Sequence, residues 1–83
     1  MSVKWPSKKG KDVLKAFLKL GFKTHRIEGS HHVLYWGEPS DRMLVHIVVH
    51  SNKEWPPHHV KAKWKEAHGI MAVGEKEFLK LLS

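Results

Sequence analysis

Histidine is the residue type of this chain that offers the most chemistry. Eight of the 83 residues are histidines, spread from His25 to His68, and the sequence has no cysteine. Imidazole suits proton transfer because its charge changes near neutral pH. Metal-free cleavage of RNA needs such a group: a base removes the 2′-hydroxyl proton, an acid protonates the leaving 5′-oxygen, and cations stabilise the charge at phosphorus. The lack of cysteine excludes disulfide scaffolds and thiolate metal sites.

The spacing of the histidines does not by itself predict a metal site. His46 and His50 are expected to be sheet residues on one strand face, about 13 Å apart at ~3.3 Å per residue, which is too far to chelate one ion. The adjacent pairs His31-His32 and His58-His59 diverge. A site needs three or four converging ligands, so only an assembly across separate elements leaves metal binding open. We predict no metal and no cofactor.

A two-residue turn places one histidine within reach of a substrate. Residues 22–28 and 31–36 are predicted to be strands joined by Gly29-Ser30, with glycine in the first turn position. His31 follows the turn directly, so the hairpin holds its backbone. In this register His31 lies opposite Glu28. The alternative to a catalytic role is that His31 is only a half-exposed strand residue paired with Glu28.

The remaining pattern predicts helices on one face of a small antiparallel sheet. Apolar residues recur at helical spacing in the first, fifth and sixth elements, and strand-forming residues dominate the third strand. Residues 1–7 are expected to be a loose lead-in to a single domain that spans residues 1–83, because a chain of this length forms one core. Turns or connections are predicted at Gly37 to Arg42 and Ser51 to Pro56. Besides the hairpin, the predicted elements are a helix from Lys8 to Leu20 ended by Gly21, a strand from Met43 to Val49, a helix from Pro57 to about His68 closed by Gly69, and a short helix from Glu75 to Leu82.

The distribution of charge favours a polyanionic partner, and nucleic acid more than membrane. The formal net charge of +7 lies entirely in residues 1–26, whereas residues 27–83 balance to zero. A solvated lysine-rich helix face is the alternative reading. The apolar runs, such as Ile47 to Val49, are too short for a membrane span, so a cytoplasmic protein is expected. The basic residues predicted to contact RNA are Lys8, Lys11, Lys15, Lys19, Arg26 (expected opposite Val33), Lys53, Lys61 and Lys65.

Four ordered segments resemble one protein family. Leu20-Gly21-Phe22, Arg26 and Gly29-Ser30-His31-His32 are similar to the start of the small HicA mRNA interferase toxins. Val49-His50-Ser51-Asn52-Lys53-Glu54 resembles the family's valine-histidine segment with its lysine-glutamate pair. Val60 to Ile70 is similar to its second helix, and Glu77-Phe78-Leu79 to its C-terminal turn. The sequence departs from the family pattern at Val48, where the family usually has proline, at His58-His59, where it has glycine-threonine, and in the extra Trp5-Pro6.

This resemblance implies an α+β fold of the double-stranded-RNA-binding-like α-β-β-β-α type. It also implies metal-independent cleavage of single-stranded mRNA by a toxin that is monomeric when free and hetero-oligomeric with a HicB-type antitoxin. Its catalytic histidine corresponds to His31, which Gly29 and Ser30 position. His32 and His50 match supporting positions, and His50 could serve as a second acid–base group.

A binding module on the same framework is the second hypothesis. Lys61-Ala62-Lys63 resembles the lysine cluster of double-stranded-RNA-binding domains, and a non-catalytic domain of that kind would recognise duplex RNA by its shape and cleave nothing.

Overall fold

The α+β architecture predicted from the sequence is confirmed. A computed structural model describes residues 4–38, 43–50 and 53–82. A three-stranded antiparallel sheet follows the first helix, and two further helices follow the sheet. The elements are β1 (Lys8–Lys9), α1 (Gly10–Leu20), β2 (Lys23–Glu28), β3 (His31–Trp36), β4 (Met43–Val48), β5 (Glu54–Trp55), α2 (Pro57–Met71) and α3 (Glu75–Leu82).

The sheet has the strand order β2-β3-β4, and the predicted hairpin register is confirmed. Glu28 pairs with His31 and Arg26 with Val33, with an irregularity between Thr24 and Arg26. The turn between β2 and β3 has Gly29 at φ +59°, a conformation that glycine adopts without strain. The turn predicted at Gly37 to Arg42 falls mostly on residues 39–42, outside the described residues.

The core lies between one face of the sheet and the helices. Leu34 pairs with Val45, and Ile47 shares their face because side chains alternate along a strand. All three are almost completely buried, as is Phe17 of α1. The Phe17 ring packs edge-on against that of Phe78 of α3, with the ring centroids 5.7 Å apart. The opposite face of the sheet is left to solvent, and His31 lies on it.

The first helix begins later than predicted. Lys8 and Lys9 are not helical; they form β1, which pairs with β5 inside the predicted connection Ser51 to Pro56. Residues 51–52 of that connection lie outside the described residues. The Asp12 carboxylate accepts a hydrogen bond from the Lys9 N–H (3.3 Å), and Lys9 itself has extended backbone angles, so α1 starts at Gly10. The correction matters for charge, because Lys8 does not belong to the helical lysine stripe.

The predicted lead-in also contributes to the core. Trp5 is only 7% exposed, and its ring lies 5.5 Å from that of Trp64 and 6.3 Å from that of Phe78, measured between centroids. A loose lead-in is therefore wrong at this residue, because a large aromatic side chain gains more from burial than the extended segment loses by being ordered. Residues 1–3 lie outside the described residues.

The second helix continues past the predicted stop at Gly69. It ends after Met71, and Ala72 takes the left-handed conformation with φ 55°. The Val73 carbonyl accepts hydrogen bonds from Trp64 Nε1 (2.9 Å) and His68 Nδ1 (3.0 Å), which hold the chain after the helix end against the helix. Glycine permits a helix end but does not impose one, and here the contacts of Val73 determine where the helix stops.

Substitution of Gly10 by alanine should destabilise the fold, and substitution of Gly69 by alanine should stabilise it. A Cβ at Gly10 would lie 2.6 Å from the Val48 carbonyl oxygen, whereas one at Gly69 meets nothing within 4 Å. We expect Gly10→Ala to lose ~1–3 kcal/mol of unfolding free energy through this overlap. Gly69→Ala should gain ~0.5–1 kcal/mol because alanine favours the helix. Thermal unfolding measures both, and a Gly10→Ala protein as stable as the parent would contradict the close approach of α1 to β4.

Candidate functional site

His31 is held at the first position of β3 by the turn that precedes it. The Ser30 carbonyl accepts a hydrogen bond from the Val49 N–H at 2.7 Å, which ties the turn to the end of β4. Gly29 has its left-handed backbone at the outer end of the hairpin, where a Cβ would meet nothing within 4 Å. The backbone around His31 is therefore fixed on two sides while its side chain is exposed.

A second histidine meets His31 on the open face of the sheet. His31 Nδ1 lies 2.9 Å from His46 Nε2, with the ring centroids 4.9 Å apart. His46 pairs with Val33, and Val48 pairs with His31, so the two histidines are diagonal neighbours across β3 and β4. A hydrogen bond at this distance requires one ring nitrogen to carry a proton and the other to lack one. His31 is thereby left with Nε2 as the ring nitrogen that a substrate can approach.

The strand that carries His46 is tied to α2. Lys63 Nζ donates a hydrogen bond to the His46 carbonyl at 2.6 Å and also lies 2.9 Å from Glu66 Oε2. The Lys63 side chain is 16% exposed, which makes these contacts stronger than those of a fully solvated ammonium group. The Lys63 contact therefore fixes the outer edge of β4 at the residue that carries the second imidazole.

A small cavity surrounds the histidine pair. Its volume is about 210 Å³, and its lining consists of Arg26, Glu28, His31, Val33 and His46. The Arg26 guanidinium lies 3.6 Å from the Glu28 carboxylate, and both side chains are more than half exposed, so the ion pair is weak. The cavity thus combines two imidazoles with a cation that can exchange its carboxylate partner for a phosphate.

A larger groove adjoins the histidine pair at His46. It has a volume of about 450 Å³ and lies between β4 and the first turns of α2, with His46 contributing to both spaces. His50 and Lys53, two of the predicted site residues, line it. His50 was expected to be a sheet residue, but it follows β4 instead of lying in it.

The remaining predicted residues lie outside these two spaces. His32 pairs with Ile47 and belongs to the core-facing side of the sheet, opposite His31. Lys11, Lys15 and Lys19 follow one another at helical spacing and are exposed on α1. The other predicted RNA contacts that line neither space are Lys8 in β1 and Lys61 and Lys65 in α2.

The contacts of His46 and Lys63 were not predicted from the sequence. The predicted turn from Gly37 to Arg42, taken as symmetric, would have paired Val33 with His46 and brought His46 near His31, so the signal lay in the bounds of that turn. Lys63 offers no comparable signal, because only the packing of α2 against β4 brings its ammonium to a backbone carbonyl.

Neither a metal cluster nor a membrane helix occurs in the part of the chain that the structure describes. Among residues 4–38, 43–50 and 53–82, no group of three or more His, Asp or Glu side chains is placed to hold an ion. Within the same ranges, no helix is long and apolar enough to cross a bilayer.

Comparison with known proteins assigns the family. No curated protein and no solved structure matches the chain significantly. A family model described as the HicA toxin of bacterial toxin–antitoxin systems matches residues 10–68, which include the hairpin, both histidines of the pair and most of α2. The match covers well over half of the 83 residues and confirms the resemblance found in the sequence. The chain therefore belongs to the HicA toxin family of bacterial toxin–antitoxin systems.

Proposed function

We propose that this HicA-family toxin is a metal-independent RNA endonuclease that cleaves single-stranded mRNA, with His31 as its general base. The observation that carries the proposal is the hydrogen bond between His31 Nδ1 and His46 Nε2 on an exposed sheet face. A base that is oriented by a second group through its other nitrogen is a recurring arrangement for proton abstraction. The predicted catalytic position and the geometry thus support the same residue.

The proposed reaction is an internal transesterification. The bond between O2′ and phosphorus forms, the bond between phosphorus and O5′ breaks, and the 2′-hydroxyl proton passes to His31 Nε2. The departing 5′-oxygen takes a proton from solvent water. Water has access to the site because the imidazoles of His31 and His46 are both exposed. Arg26 lines the cavity, and its guanidinium supplies positive charge for the phosphorus centre.

His46 acts in this proposal as a positioning residue. If His46 Nε2 accepts the hydrogen bond, the proton of His31 is on Nδ1 and its Nε2 is a free base. The Lys63 contact to the His46 carbonyl keeps the strand, and with it the accepting ring, in place.

A partner antitoxin follows from membership in a toxin–antitoxin family. We propose that it is of the HicB type and acts by covering the histidine pair. The exposure of His31 and His46 supports this, because an exposed pair is accessible to a protein as well as to RNA.

Removal of His31 should abolish most of the cleavage. We expect His31→Ala to cleave a long single-stranded RNA about 10²–10⁴-fold more slowly than the parent in EDTA, since general base catalysis contributes that much. His58→Ala is the matched control, because His58 is an exposed histidine on α2 that lines neither space. Equal cleavage by His31→Ala and the parent would overturn the catalytic assignment. Binding of duplex RNA without cleavage by any of the three proteins would instead support the non-catalytic module.

The base role of His31 can be separated from an acid role by the choice of leaving group. A uridine 3′-phosphodiester with a p-nitrophenolate leaving group needs no protonation of that group. We expect His31→Ala to lose as much rate on this substrate as on RNA, by the same ~10²–10⁴-fold. If His31→Ala cleaves RNA much more slowly than the parent but cleaves the activated ester at nearly the parental rate, His31 is the general acid.

Substitution of His46 should lower kcat without much change in KM. We expect ~10²-fold loss in His46→Leu, the size of effect that misplacement of a catalytic group produces. His46→Gln should restore much of that loss, because the glutamine carbonyl can accept the His31 Nδ1 proton. Equal losses in the leucine and glutamine variants would show that His46 itself transfers a proton.

The exposed lysines of α1 should contribute to RNA affinity without reading its sequence. In a His31→Ala background, replacement of Lys11, Lys15 and Lys19 by glutamine removes three cations from one helix face. If all three contact phosphates, the slope of log Kobs against log salt should become less negative by ~2 for single-stranded RNA. Lys76→Gln on α3 is the control, and an unchanged slope in the triple variant would exclude this face from the RNA interface.

A further inference from the structure

The larger groove has the dimensions of a small-ligand site. Its volume of about 450 Å³ falls within the ~300–1,000 Å³ typical of such sites. Val48 and Trp55 supply apolar surface, and Pro56 and the first turns of α2 form its other side. A groove of this volume therefore fits a small molecule with one planar ring system better than it fits a helix or a strand of a partner protein.

An aromatic pair lies along this groove. The rings of Trp55 and His59 are 4.6 Å apart between centroids and inclined by 30°. Trp55 is only 8% exposed and forms the buried member of the pair, whereas His59 is the exposed member. A nucleobase can stack on an exposed imidazole that is supported in this way, as bases do on aromatic side chains in single-stranded RNA recognition.

The charges of the groove favour a phosphate. Its lining includes Lys53, Lys63 and the carboxylate of Glu54. Lys63 also pairs with Glu66 outside the lining, so Lys53 is the lining lysine that forms no ion pair among the described residues. An ammonium group has three N–H donors, and the contacts of Lys63 with His46 and Glu66 use two of them. A phosphate between Lys53 and Lys63 would therefore find charge-assisted donors close to the aromatic pair.

The groove adjoins the cavity around His31. His46 lines both the groove and the cavity around His31, so a ligand in the groove ends beside the imidazole pair. We propose that the groove binds the nucleotide adjoining the scissile phosphate of single-stranded RNA, with its base on His59 and its phosphate near Lys53 and Lys63. The proposal rests on the proposed endonuclease function, and it names the subsite that presents the substrate to His31.

The four tryptophans allow a direct test. The full-length protein carrying His31→Ala, labelled with 15N, is titrated with uridine 3′-monophosphate and adenosine 3′-monophosphate. His31 does not line the groove, so this substitution leaves the subsite intact. We expect a saturable shift of the Trp55 indole N–H resonance, with little change at Trp5, Trp36 and Trp64, which do not line the groove.

Variants of His59 separate stacking from charge. In the same background, His59→Ala should weaken nucleotide binding about 5-fold or more, and His59→Phe should retain it, because the stacking surface is kept. Lys53→Glu should also weaken binding, and Lys76→Glu on α3 is the control with the same change in charge. Inorganic phosphate, used as a second probe, should bind more weakly than either nucleotide and should not respond to the His59 variants.

The outcomes distinguish this subsite from the endonuclease function. If the Trp55 resonance responds as expected while the parent protein cleaves no RNA, the groove is a nucleotide site and the endonuclease proposal fails. If the parent cleaves RNA but nucleotides leave the Trp55 resonance unmoved, or His59→Ala binds as well as the parent background, the subsite proposal is overturned. An equal response to phosphate and to nucleotides would likewise overturn it, since no base would then be held.

Discussion

The register of β3 against β4 is the constraint on which both the core and the candidate site depend. The pairing that places Leu34 opposite Val45 on the buried face also places Val33 opposite His46 on the open face. A slip of one residue would move each side chain of one strand to the other face. It would expose the buried apolar residues and separate His31 from His46. The register that buries the core therefore also fixes the geometry of the histidine pair, and no further interaction is needed to align the two strands.

Contacts with β4 from outside the sheet hold this geometry. Gly10 brings the start of α1 so close to the Val48 carbonyl that a side chain there would collide with it. On the outer edge, Lys63 of α2 donates to the His46 carbonyl. On the side that faces β3, the Ser30 carbonyl of the hairpin turn accepts from the Val49 N–H at the end of the strand. Because two helices and a turn fix β4, the exposed imidazoles stand on a rigid strand. A catalytic group must be held in this way if its distance to the reacting atoms is to stay constant.

The division between a buried face and an open face also explains why this fold can carry a toxin of this family. The aromatic core of Phe17, Phe78, Trp5 and Trp64 stabilises the helices without using any of the residues in the cavity or the groove. The open face can therefore hold polar and charged groups that contribute little to stability. Lys53 and Trp55 before α2 line the groove, and the position of Trp55 depends on the short pairing of β1 with β5.

Local sequence determined the hairpin, the strands, the amphipathic helix α1 and the position of His31, because glycine conformation, side-chain alternation and helical periodicity act between near neighbours. It also determined the family, through short segments in a fixed order. Local pattern placed Lys8 in the wrong element, because the burial of Trp5 and the pairing of β1 with β5 are contacts between residues distant in the sequence. The predicted end of α2 at Gly69 was wrong because the Val73 carbonyl accepts hydrogen bonds from Trp64 and His68, a contact that helical periodicity does not predict. The bond from Lys63 and the groove beside it were decided by tertiary structure alone, and the partnership of His31 with His46 by the register of β3 against β4. Each joins residues at least 15 positions apart or several elements, and a distance across strands and helices is not encoded in any local pattern.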